Sequence, residues 1–237
     1  MNRRQARALE KALIKTQMSR LSRRDQLLLL ERQYGSHIRA ICKHEASHVV
    51  VMQRLQHEYD AVRILPWACV DNEDYAVAAR RDHPVESALI SLVGPVSDSQ
   101  VQKKHGWKTH PGSNGDDFMH AQVCALSILR PELKGPLFDG SHPNGLEVSL
   151  TKEDDIYMRL WLMAATYMAE SLVEYFDPWI VKVADALYEE SCLSKKRVIE
   201  LCEGFPSIPD LRSVHTMEYQ ALQKGMEALM SRKSVFV

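Results

Sequence analysis

Cysteine is scarce in this chain, apolar runs are short, and net charge is almost absent. Each shortage closes off a class of protein. The five cysteines, Cys42, Cys69, Cys124, Cys192 and Cys202, are odd in number, widely spaced and without a CxxC pair. Such a set fits neither a disulfide framework nor a zinc ribbon, so reduced thiols in a cytoplasmic setting are expected. No stretch reaches the ~18–20 uninterrupted apolar residues of a membrane span. The longest candidate, from Met158 to Phe176, is broken by Arg159, Glu170 and Glu174, and reads as a buried helix. The opening MNRRQARALEKALIK lacks the apolar centre of a secretory signal. A formal net charge of -1 leaves no general basic surface, which disfavours nucleic acid as a partner.

What is present is an ordinary globular composition: 237 residues, 45% hydrophobic and 26% charged. That is enough to bury a substantial core. Residues 2–32 have no Gly or Pro and a thin apolar stripe at Leu9, Leu13 and Leu21. With nine Lys or Arg against Glu10, Asp25 and Glu31, they read as a basic helical arm over 1–35. The remainder, 36–237, reads as one mainly α domain with a small β-sheet, an α+β arrangement. Its expected elements are a helix over 36–56, strands AVRIL (61–65) and YAVAA (75–79), and a helix from Pro84 ending near Gly94. A loop over 105–115, a helix from Asp116 or Asp117, and an irregular stretch over 131–150 follow. Helices over 152–176, 178–191, the short KKRVIELC and 210–233 complete the chain.

The first of these domain helices carries ICKHEASHVVVMQ. Residues four apart share a helix face, so His44 and His48 present two imidazoles to one ion. Zinc binds such nitrogens at about 2.0–2.1 Å. Glu45 lies about 100° round the helix from His44 by the 3.6-residue period. There it flanks the ion without ligating it, and serves as general base toward a zinc-activated water. Such a site needs a third protein ligand. The extended pattern HExxHxxGxxH fails, because Val51 and Arg54 occupy the Gly and final His positions. Asp116 and Asp117, opening a later helix, are the acidic candidates; N-capping alone would also explain them. Among the other histidines, His120 follows Asp117 by three and suits a structural or supporting role. His105 and His110 read as surface residues, and His37, His57, His83, His142 and His215 show no partner pattern. Cys42 reads as a buried thiol.

HEASHVVV followed by AVRILP resembles the peptidase domain of the FtsH-type proteases, peptidase family M41. SLVGPVSDSQ is similar to that family's Gly-Arg-x-Ala-Glu helix. GSNGDDFMHAQVCALSI is similar to its Gly-x-x-Asn-Asp-Leu helix, and WIVKVADALYEESCLSKKRVIEL to its late helices. These blocks span about residues 37–203 in order. The resemblance implies a zincin-like fold, with His44, His48 and Asp117 as zinc ligands and Glu45 as the catalytic base. Asp116, which falls on the family's Asn, is the second choice for the third ligand. Ser47 stands in place of the family's Gly, and Pro95, Ser97 and Asp98 in place of Arg, Ala and Glu.

No GxxxxGK[ST] occurs, so a stand-alone peptidase without the family's ATPase is expected. Its substrate would be a flexible or unfolded polypeptide, pairing along VRIL or YAVAA as an edge strand. The basic arm would serve a separate unfoldase or an acidic partner. The oligomeric state is left open, with a homo-oligomer among the options. The alternative function is a non-catalytic interaction or regulatory protein of the same fold, working through that arm.

Overall fold

The computed structural model describes residues 21–22, 25–26, 28–29, 32, 35–65, 68–71, 80, 82–105, 115–133 and 150–203. Most of the expected arm, the strand over 75–79, the loop over 106–114 and the helix over 210–233 lie outside the described residues. The described part is mostly helical with one small antiparallel sheet, as the sequence implies. Among the described residues no helix is long and apolar enough to cross a membrane.

A 3₁₀ turn (Gly35–His37) leads into helix α1 (Ile38–Arg54). Almost every side chain of α1 from Ala40 to Met52 is buried, His44, Glu45, Ser47 and His48 included. A helix enclosed on all sides needs neighbours on all sides. They are helix α2 (Pro84–His105) and the long helix α4 (Lys152–Glu190), while helix α3 (Gly115–Leu129) packs on α2 and α4. Val49, Val50, Val51, Leu92, Val93, Ala121, Ala125, Phe176 and Ile180 belong to their shared core.

Strands β1 (Ala61–Arg63), β2 (Cys69–Asp71) and β3 (Cys192–Ser194) form the sheet in the order β2-β1-β3. Val62 stands opposite Val70 on one side and Leu193 on the other. β1 is therefore the central strand. This corrects the expectation that VRIL offers an edge for substrate, because both backbone sides of Ala61–Arg63 are already paired. Buried Arg63 is held by an ion pair with Asp71. β3 was not expected at all: CLS is too short to show a period. It forms because Ser191 adopts a left-handed conformation (φ 61°) as the cap of α4, turning the chain back along β1. The backbone N–H of Ile64 then donates to Ser191 O at 3.0 Å.

Two further expectations are corrected at prolines. α2 does not end at Gly94 but runs through Pro95 to His105, and α4 is one helix of 39 residues through Pro178. An interior proline costs about 3 kcal/mol. Past Pro95, α2 buries Val96 and Val101. At about 1.5–3 kcal/mol for each full burial of such a side chain, these offset the cost. In α4, Phe176, Trp179, Ile180, Val183 and Leu187 are buried around Pro178. Pro178 itself is exposed, and so water can reach the carbonyl left without its i+4 donor. α4 starts with a capping box in which Asp154 N–H donates to Thr151 Oγ1 at 3.1 Å and Thr151 N–H to Asp154 Oδ2 at 3.2 Å. Helix α5 (Lys195–Cys202) closes the described chain, capped by the Ser194 hydroxyl.

Candidate metal centre

His44 and His48 lie on the same face of α1, and Asp117, in the first turn of α3, meets them. His44 Nε2 and His48 Nε2 are 3.0 Å apart, and Asp117 Oδ2 lies 3.1 Å from the first and 3.5 Å from the second. A tetrahedral zinc with bonds of about 2.0–2.1 Å requires donor atoms about 3.3 Å apart. The three atoms already form a triangle of that size, and among the described residues they are the group able to hold a metal.

Of the two acids left open by the residues themselves, the structure brings Asp117 to the histidines, while the neighbouring Asp116 is exposed. Glu45 is buried beside them and interacts electrostatically with both histidines, Asp98 and Asp117.

The other nitrogen of each ring is also accounted for. His48 Nδ1 donates to Ile90 O at 2.6 Å, and His44 Nδ1 to Asp98 Oδ2 at 3.0 Å. Both acceptors are on α2. Donation from Nδ1 leaves each Nε2 lone pair directed at the common point, the arrangement that orients metal-binding imidazoles. Asp98 is itself buried. It stands where the resembled pattern has Glu. Its shorter side chain nevertheless reaches His44.

Gly94 lies between these acceptors on α2, hard against the ring nitrogens. A Cβ there would come within 2.6 Å of His44 Nε2 and closer still to His48 Nε2. Ser47 is enclosed and donates from its hydroxyl to Lys43 O at 2.8 Å, so the small polar residue stays within its own helix.

The electrostatics follow from packing three carboxylates round two imidazoles away from solvent. Burial disfavours the His44 imidazolium, but hydrogen bonds to Asp117 and Asp98 outweigh it and raise its pKa to about 10. His48 behaves alike: burial opposes its charge, and Asp117 more than compensates. Burial pushes Asp117 up, yet His48 and His44 hold its carboxyl well below the usual range. Burial raises Glu45, with the two histidines acting against the rise. Left without positive charge, such enclosed carboxylates cost several kcal/mol each. Protons on the histidines supply that charge in a metal-free site, and a divalent cation at the centre of the triangle would supply it instead. The donor set and its charge therefore fit zinc.

His120 is partly buried, and burial followed by nearby Arg80 lowers its pKa. His57, for which no partner was foreseen, pairs with Glu86 at 2.7 Å, remote in sequence at the start of α2. Cys42 is buried as expected, and burial pushes its thiol up to about 12. No protein-family model and no curated protein sequence matches the chain.

Proposed function

We propose that this chain is a zinc metallopeptidase with the zincin-like fold of the FtsH-type peptidase domains, cutting peptide bonds in flexible or unfolded polypeptides without ATP. The observation that carries the reading is the triangle of His44 Nε2, His48 Nε2 and Asp117 Oδ2, with both Nδ1 atoms committed to acceptors on α2. Bound zinc would supply a Lewis acid that acidifies water and polarises the scissile carbonyl.

The protein's own groups then have separate tasks. Asp98 and Ile90 O fix ring tautomer and orientation. Glu45, kept from ligation by its place round the helix, accepts a proton from the attacking water and returns it to the departing amine nitrogen. Its burial, which raises its pKa, brings it nearer the range useful for both transfers.

Metal content by mass spectrometry, measured with cleavage of unfolded casein, tests the proposal. Wild type and Glu45→Gln are expected to carry about one zinc per chain, and His48→Ala none. Loss of the general base should slow cleavage by roughly 10²–10⁴-fold in Glu45→Gln. Zinc-free wild type, or cleavage undiminished in Glu45→Gln, would refute it.

A further inference from the structure

The inner face of α4 carries Trp161, Ala165, Ala169, Leu172, Phe176 and Ile180 into the core. Its outer face is apolar too. Ile156, Leu160, Met163, Tyr167, Tyr175 and Val181 are between 41 and 65% exposed, and they follow one another at helical spacing, interrupted by Ser171 and Pro178. A helix apolar on opposite faces is normally covered on both. An exposed apolar stripe of this kind marks an interaction surface.

Three observations identify what covers it. The first is charge. Glu170 and Glu174 stand two turns on from Met163 and Tyr167 along the same edge of the stripe, and exposed Glu153 lies at its start. Arg159, the basic residue within the stripe's span, is already paired with Asp155 at 3.0 Å. Exposed Lys152 stands one turn before Ile156, so the acidic end of the face is that of Glu170 and Glu174. A basic helix with an apolar stripe complements that end, and residues 1–20 hold six Lys or Arg against Glu10 alone, with Leu9 and Leu13 one turn apart.

The second is attachment. The chain enters α1 beside the far end of the stripe: Arg39, in the first turn of α1, pairs with Asp185 at 3.7 Å and lies over the Tyr188 ring at 4.5 Å. Asp185 is exposed one turn beyond Val181 on the same face.

The third is length. At 1.5 Å per residue the stripe from Ile156 to Tyr175 is about 28 Å long, and the helix that the sequence implies for residues 1–20 would span about 30 Å. The fourteen residues from 21 to 34 reach at least about 21 Å even at helical rise, which suffices to cover the roughly 15 Å between Asp185 and Tyr175.

We infer that residues 1–20 dock, within the same molecule, along the Ile156–Tyr175 face of α4, Leu9 and Leu13 on the stripe and Lys15 and Arg20 toward Glu170 and Glu174. This goes beyond the peptidase reading and depends on neither zinc nor catalysis.

The test uses the full chain, mixed in equal parts with a ¹⁵N-labelled copy. Zero-length carbodiimide coupling should join Lys11 or Lys15 to Glu170 or Glu174 in peptides of unmixed isotope. In parallel, hydroxyl-radical oxidation of Met163, Tyr167 and Tyr175 should rise at least threefold in Leu9→Asp/Leu13→Asp, whose far-UV helicity reports that the body stays folded. Tyr167→Glu should lose the cross-links from the other side. Oxidation equal in wild type and the arm variant, or absence of those cross-links, overturns the inference. Cross-links of mixed isotope also overturn it and assign the stripe to a second copy.

Discussion

At the scale of single residues, the site depends as much on what is missing at position 94 as on its ligands. Adding one methyl at Gly94 places carbon within 2.6 Å of His44 Nε2 and 2.7 Å of His44 Cε1, on atoms of buried rings. Gly94→Ala is therefore expected to keep the helical fold by circular dichroism and lose at least tenfold in zinc affinity. Gly115→Ala is the matched control, since a Cβ there meets nothing within 4 Å.

Asp98→Asn preserves volume but weakens the acceptor for His44 Nδ1. Removing such an orienting partner costs about 10–100-fold in metal affinity, which a competitive chelator titration would read. The two histidines and the Asp116–Asp117 pair were legible in the sequence as candidate ligands, because a four-residue spacing on a helix and acids at a later helix start are local patterns; the choice between the two acids was not. Gly94 and Asp98 were not. They too lie four apart, but that relation has meaning only on a helix that continues through Pro95, where the sequence signalled an end.

At the scale of elements, the misreadings share this cause. Proline and glycine act on a few neighbouring bonds, whereas the burial that overrides them is set by residues distant in sequence. Pro178 sits on the solvent side of α4 with Phe176, Trp179 and Ile180 buried around it, and the helix continues. β3 exists only because β1 is there to receive it.

Where a local signal is self-sufficient, it can be tested as such. Thr151 caps a 39-residue helix through its hydroxyl, and Asp154 answers it while accepting from Arg130 Nη1 at 3.0 Å. Thr151→Ala should lower unfolding free energy by about 1 kcal/mol in urea titration, the usual value of an N-cap. Thr151→Ser should recover most of it, because the serine hydroxyl accepts the same N–H.

At the scale of the whole molecule, the candidate centre joins three helices, of which α2 packs on both α1 and α3. His44 and His48 come from α1, Asp117 from α3, and the Nδ1 acceptors from α2. A metal held there binds the folded chain and has no equivalent site in the unfolded one, since the ligands are separated by as many as 73 residues. Its binding energy is thereby added to folding stability. At a free zinc concentration a thousandfold above Kd the added stability is about 4 kcal/mol. For a chain of this length each kcal/mol moves Tm by roughly 2–4 °C.

Chelation of the wild type should therefore lower Tm by on the order of 10 °C. Asp117→Ala, which removes one corner of the triangle, should melt at the same temperature with and without chelator. Glu45→Gln should retain the full zinc-dependent shift while losing cleavage, because Glu45 lies beside the cage without closing it. If instead Glu45→Gln lost the shift as well, Glu45 would be acting as a ligand, and the division of labour between cage and base would be wrong.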